Sequence, residues 1–161
     1  MAVDLTRAKD ECRVSGSGHD DRIQAALDAS IADVEKAVGM KLTRGSVTQK
    51  VSEFGNYIKL VWGPDASDVS VAYTDGDGEA ATITDARLVG ARLYPPDAGW
   101  PTIYTNTPIF VTYTAGFENA DKSLDYAVIL SLKSYFDNGA ITPEVKRSVD
   151  SLCFKFLETM T

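Results

Sequence analysis

Histidine and cysteine are scarce in this chain. Its 161 residues include one histidine, His19, and two cysteines, Cys12 and Cys153. Zinc sites draw about four ligands from such residues, and a Ser-His-Asp triad would have to use the same histidine. No serine occupies the sharp strand-to-helix elbow typical of serine hydrolases. We therefore expect no catalytic residues of these classes, no metal, no cofactor and no disulfide framework.

Basic clusters and long apolar runs are also missing. The formal net charge is -7, and no stretch gathers Lys and Arg as a phosphate-binding surface requires. The longest apolar run, "YAVIL", is far too short to span a bilayer, and the polar start "MAVDLTRAKDE" shows no signal peptide. We expect a soluble product made in the cytoplasm, with no membrane contact and no sequence-specific DNA binding. An acidic surface also suits a protein past which DNA must slide.

What the chain does contain is the composition of an ordinary globular protein. Hydrophobic residues make up 44% and charged residues 24%. A chain of this length can bury one core of useful size, so residues 1–161 are predicted to form a single domain.

Helical periodicity dominates both ends of the sequence. Apolar residues recur three and four apart in four segments, and Gly or a Thr-Pro pair marks several of their boundaries. The predicted helices run from Asp4 to Arg13, from His19 to Gly39, from Asn119 to Asn138, and from Pro143 to about Thr159.

Between these helices the period changes to two. Alternating apolar residues predict strands at Val47–Val51, Tyr57–Trp62, Val69–Tyr73 and Ile109–Tyr113. The proline-rich stretch "LYPPDAGWPTIYTNTP" is predicted to be a long loop. The fold class is therefore α+β: two N-terminal helices, a central region of short antiparallel hairpins, and two C-terminal helices packed as a small helical bundle.

The segment "DGDG" poses a choice between a calcium loop and a turn. A calcium loop needs several ligands and a distant bidentate Glu, but Glu79 follows Asp77 by only two residues. Asp-Gly between alternating strands is a strong hairpin signal, so a turn without metal is predicted. Paired carboxylates such as Asp75 and Asp85 leave open the alternative of a small hydrolase with an acidic site.

Two surfaces of the C-terminal helices are candidate contacts with other proteins. Tyr126 and Leu130 lie opposite the main apolar stripe of the third predicted helix, which suggests that a neighbouring subunit covers them. Phe154 lies opposite the apolar stripe of the last helix and is predicted to be exposed. A single exposed aromatic is also common on ordinary surfaces, so both interpretations stand.

Four stretches resemble the head-tail connector, or adaptor, proteins of tailed bacteriophages, also called head completion proteins. The four stretches occur in the same order as in that family, and together they cover nearly the whole chain. The stretches are "LTRAKDECRVSGSGHDDRIQAALDASIADVEKAVGMKL", "IKLVWGPDASDVSVAYTDGDG", "GWPTIYTNTPIFVTYTAGFENA", and the apolar helix after it with the closing helix.

The resemblance implies a structural virion protein with no catalytic residues. It implies a homo-oligomeric ring, expected to be a dodecamer, that binds the portal protein at the head-tail junction and extends the DNA channel toward a tail or stopper protein. On this interpretation Tyr126 and Leu130 are expected at the subunit seam, and Phe154 and Arg147 at the contact with the portal or the next ring. Another neck or tail-completion protein is the alternative.

Overall fold

The computed structural model describes residues 3–63, 65–117 and 121–157. These residues form two compact units, one of the described residues up to 42 and from 117 onward, and one of the described residues between 43 and 116. The first unit is helical, and its helices are α1 (Leu5–Glu11), α2 (Asp20–Val38), α3 (Lys122–Asn138) and α4 (Pro143–Leu157). The predicted start of the third helix at Asn119 and the predicted end of the last helix at Thr159 lie outside the described residues.

Local sequence explains where these helices begin and end. The Asp4 carboxylate accepts a hydrogen bond of 2.8 Å from the Arg7 amide and caps α1. Asp20 and Asp21 occupy the first turn of α2, where negative charge is favoured by the helix dipole. At the C-terminus of α3, Gly139 adopts φ 74° and its amide donates to the Tyr135 carbonyl at 2.9 Å, which ends the helix.

All four helices contribute to one apolar core. Its fully buried members include Ile23 and Val34 of α2, Leu124 and Leu132 of α3 and Val149 of α4. The two cysteines belong to it as well, Cys153 buried and Cys12 half-buried, and both are free thiols. The prediction of a small helical bundle is confirmed.

The second unit contains a four-stranded antiparallel sheet in the order β1-β7-β3-β4. These strands are β1 (Gly45–Val51), β3 (Ser67–Thr74), β4 (Ala80–Ile83) and β7 (Ile109–Ala115). Strand β7 alternates buried and exposed residues, and its buried members Ile109, Val111 and Tyr113 face the core of this unit. The α+β class predicted from the change of period is therefore confirmed.

A smaller sheet of three antiparallel strands was only partly predicted. Its order is β2-β6-β5, with β2 (Ile58–Lys59), β5 (Arg87–Val89) and β6 (Arg92–Tyr94). No periodicity predicts β5 and β6, because strands of three residues contain too few positions to show a period. The predicted long loop is shorter than expected at its start, since Leu93 and Tyr94 belong to β6.

The "DGDG" segment is a hairpin turn, as predicted. Strand β3 pairs with β4 with Thr74 opposite Ala80. Inside the turn, the Asp75 carboxylate accepts hydrogen bonds of 3.0 Å from the amides of Asp77 and Glu79. Asp75 is therefore engaged in shaping the turn, as Asp side chains commonly are.

Candidate functional site

Helix α4 is positioned by the short connection that precedes it. The Ser134 hydroxyl donates to the Ala140 carbonyl at 2.9 Å and accepts from the Thr142 amide at 3.0 Å. Pro143 then begins the helix, a position where its missing amide costs nothing. Val149 and Cys153 are buried against the rest of the helical core, so α4 presents a defined opposite face to solvent.

Two of the predicted contact residues lie on this solvent face. The side chain of Phe154 is 59% exposed. Arg147 is also exposed, and its Nε donates to the Pro143 carbonyl at 3.3 Å while its guanidinium lies 3.6 Å from Glu144. Surface contacts of this kind are weak, so the guanidinium can exchange them for a partner at little cost.

Helices α3 and α4 together form a surface groove that joins the two predicted contact surfaces. The groove has a volume of about 530 Å³. Its walls come from the two helices: Tyr126, Leu130, Arg147, Ser148, Ser151 and Leu152. Both predicted seam residues and one of the two predicted docking residues therefore meet in one place.

Phe154 extends the groove along α4. Residues 147, 151 and 154 are spaced four and three apart, so they lie on one face of the helix. Tyr126 is 54% exposed, whereas Leu130 is half-buried and packs against the helical core. We call the surface of Tyr126, Leu130, Arg147 and Phe154 the α3–α4 face; it combines aromatic rings with an arginine, residue types that concentrate binding energy at interfaces.

The far end of this face is fixed by a cap shared between the two helices. Asp121 caps α3 by accepting from the Ser123 amide at 2.7 Å and from the Ser123 hydroxyl. Lys155 of α4 reaches the same carboxylate at 3.2 Å and the Ser123 hydroxyl at 2.8 Å. The Ser123 hydrogen bonds, followed by that of Lys155, lower the pKa of Asp121 from its ordinary 3.8 to about 2.

This cap gives a pH-dependent prediction. Because the folded pKa is the lower one, the Asp121 carboxylate stabilises the fold above pH 4 and loses that contribution as the pH falls towards 2. Asp121→Ala should lower the free energy of unfolding by about 1 kcal/mol at pH 7. Urea unfolding should show the difference from the parent chain shrinking between pH 4 and pH 2.5. A difference that stays constant across that range would contradict the assignment.

A second exposed surface, absent from the sequence predictions, covers the outer side of the three-stranded sheet. The register places Lys59, Arg92 and Val89 in one cross-strand row and pairs Arg87 with Tyr94 beside it. The Arg92 guanidinium lies 4.9 Å from the ring centre of Tyr57, and that of Arg87 lies 5.6 Å from the ring centre of Tyr94. We call Tyr57, Lys59, Arg87, Arg92 and Tyr94 the Arg–Tyr face.

We examined the described residues for the two features on which catalysis often depends, a cluster of metal ligands and a reactive thiol. No cluster of three or more His, Cys, Asp or Glu side chains there could hold a metal ion. Burial, followed by the nearby Asp150, raises the pKa of the Cys153 thiol to about 11, so it stays protonated at neutral pH. None of the described helices is long and apolar enough to cross a membrane.

Solved structures with a similar fold include chains from the neck and the virion of gene transfer agent particles. A chain in the neck of an empty particle, computed with C6 symmetry, matches 94% of this chain and 89% of its own length at a TM-score of 0.75 and 21% identity. A chain in the virion of the native particle matches 93% and 88% at a TM-score of 0.72 and 22% identity. A chain in the native neck, computed with C12 symmetry, matches 95% and 91% at a TM-score of 0.68 and 22% identity.

The chain has the fold of these neck and virion chains. The match extends over nearly the full length of both partners, so the fold implied by the resemblance to head-tail connectors is confirmed. No protein-family model matches the chain, and no curated protein matches its sequence.

Proposed function

We propose that this protein is a head-tail connector subunit, a structural component of the neck of a phage-like particle. The observation that carries the proposal is the fold: the chain matches neck chains over 94% and 95% of its length. One of these necks was computed with sixfold symmetry and the other with twelvefold symmetry, which supports assembly as a ring. We propose a ring of twelve copies at the head-tail junction, bound to the portal on one side and to a tail or stopper protein on the other.

The charge of the chain supports a channel through which DNA passes without being held. The net charge of -7 repels phosphate at short range. DNA is therefore proposed to move past the ring without sequence-specific contacts.

The α3–α4 face is the proposed docking surface of the subunit. Tyr126 and Leu130 are proposed for the seam between subunits, and Phe154 and Arg147 for the contact with the portal or the next ring. Because three of these side chains line one groove, we propose that the two contacts meet there. A heterologous contact of this kind repeats around a ring, whereas a twofold contact stops at a dimer.

The proposed role is structural rather than enzymatic. The lone histidine, His19, precedes α2 on the exposed surface, and the Asp75 carboxylate is engaged by backbone amides in its turn. A second neck protein or a tail-completion protein fits the same fold likeness, since the similar chains include one described only as part of a virion.

A head-completion experiment separates these proposals. Particles produced without the chain should accumulate as DNA-filled heads that lack tails, and adding the purified chain should restore tail joining. Tails that end prematurely on otherwise complete necks would favour a tail-completion role. Intact, tailed particles in the absence of the chain would contradict the proposal.

A further inference from the structure

The β unit, residues 43–116, distributes its charge unevenly. It contains eight acidic residues but only five basic ones, which are Arg44, Lys50, Lys59, Arg87 and Arg92. Three of the five lie on the Arg–Tyr face. Lys50 is close by, since it lines a surface cleft together with Glu53, Tyr57 and Lys59. A unit that is acidic as a whole therefore has one cationic face.

The arginines of this face are ordered but unpaired by carboxylates. Each guanidinium lies over a tyrosine ring, and the two rings are themselves 5.8 Å apart. Within the described residues, Lys59, Arg87 and Arg92 take part in no salt bridge. Stacking leaves the guanidinium edges free to donate to an anion such as a carboxylate, which an arginine binds in a bidentate manner.

The same unit presents a hydrogen-bonded acidic turn of residues 75–79, whose charge is opposite to that of the Arg–Tyr face. The Asp75 carboxylate fixes the turn through the amides of Asp77 and Glu79. Asp77 and Glu79 are exposed, so their carboxylates point into solvent on a preformed hairpin. The turn lies just before the first residue of β4, and Arg87 lies beyond the last residue of β4, at the start of β5. One subunit thus offers a cationic and an anionic feature at different places.

We propose that the Arg–Tyr face of one copy binds the acidic turn of a neighbouring copy, which adds an electrostatic contact to the seam of the ring. The inference rests on the proposed ring assembly and names a part of its seam. Two different surfaces meet in this contact, so it is heterologous and can propagate around a ring. A second copy is the favoured occupant because its acidic turn offers two exposed carboxylates, Asp77 and Glu79, opposite in charge to the arginines of this face.

DNA is the less favoured occupant of the same face. Duplex binding depends on many phosphate contacts, and the three cations here lie in a unit whose acidic residues outnumber its basic ones. The tyrosine rings are also covered by guanidinium groups, which limits stacking with bases.

Charge reversal on each side tests the contact. The full-length chain is studied by sedimentation velocity at high protein concentration in 50 mM and 500 mM NaCl. The parent chain should self-associate at low salt and dissociate at high salt. Both the Arg87→Glu/Arg92→Glu variant and the Asp77→Lys/Glu79→Lys variant should associate at least about tenfold more weakly at low salt. A chain carrying all four substitutions should regain association, because the charges are exchanged rather than lost.

The matched control is Lys36→Glu/Lys122→Glu, which changes the charge equally on the helical unit, where both lysines are exposed. It should associate like the parent chain. The inference is overturned if the parent chain stays monomeric at low salt, if the control weakens association as much as the arginine variant, or if the fourfold variant is not restored.

Two further measurements separate this inference from its alternatives. A labelled 20-base-pair DNA duplex that binds the parent chain but not Arg87→Glu/Arg92→Glu would assign the face to nucleic acid and overturn the contact between copies. If all the charge variants assemble and join tails normally, the seam inference fails while the connector proposal stands. If particles lacking the chain carry tails, the connector proposal itself fails.

Discussion

Gly116→Ala should destabilise the β unit by about 3 kcal/mol or more. Gly116 follows β7 and adopts φ 111°, a conformation that side chains rarely permit. A Cβ atom built there would lie 2.6 Å from the Thr43 carbonyl oxygen and 2.9 Å from the Arg44 Cα. Both are backbone atoms at the entry to β1, so relief would require moving the β1–β7 pair. Urea unfolding of the purified chain measures the loss.

Two other glycines serve as controls. Gly90→Ala meets no atom within 4 Å but has φ 56°, so it should cost only about 1 kcal/mol. Gly45→Ala, at the start of β1, has neither a close neighbour nor a positive φ and should be nearly neutral. If Gly116→Ala lowers the free energy of unfolding no more than Gly90→Ala does, the close approach of the Thr43 backbone does not restrict residue 116 to glycine.

The Tyr126→Ala/Phe154→Ala variant should abolish neck assembly while leaving the isolated subunit intact. Both side chains are more than half exposed, so their truncation should change the free energy of unfolding by less than about 0.5 kcal/mol each. Burial of Phe154 at an interface is worth ~2 kcal/mol per subunit, or roughly a 30-fold change in affinity. Repeated around a ring, that loss should leave DNA-filled heads without tails.

The control for this variant is Phe110→Ala. Phe110 is 42% exposed and lies in β7, outside the α3–α4 face, the Arg–Tyr face and the acidic turn, so its loss should not affect tail joining. Leu130→Asp is less informative, because Leu130 also packs against the helical core. If the double variant unfolds the subunit, Phe154 and Tyr126 serve the fold, and the docking role proposed for the α3–α4 face is wrong.

The elements predicted well from the sequence are those whose pattern is local and long. The 19 residues of α2 repeat the apolar stripe over five turns, and the seven residues of β7 alternate between core and solvent. The three-residue strands β5 and β6 offer no such repetition. Their pairing is visible only when β2, about 30 residues earlier, is placed beside them.

The candidate site could be predicted only in part for a related reason. The exposure of Phe154 follows from its position opposite the apolar stripe of one helix. Arg147 and Tyr126 share a groove because α3 packs on α4. The pattern of a single helix does not predict that packing. The Arg–Tyr face is still less local, since Arg87 and Arg92 come from β5 and β6 and Tyr57 comes from the residue before β2. The segment "ARLVGARLY" carries one local signal of this face, two Arg-Leu pairs in which a cationic residue stands beside an apolar one.

Electron cryomicroscopy of the neck of the particle that carries this chain tests the connector proposal most directly. We expect a ring of twelve copies between portal and tail, with Phe154 and Tyr126 of each copy buried against other chains. Density for this fold at another place in the particle, or a neck with Phe154 and Tyr126 facing solvent in every copy, would contradict it.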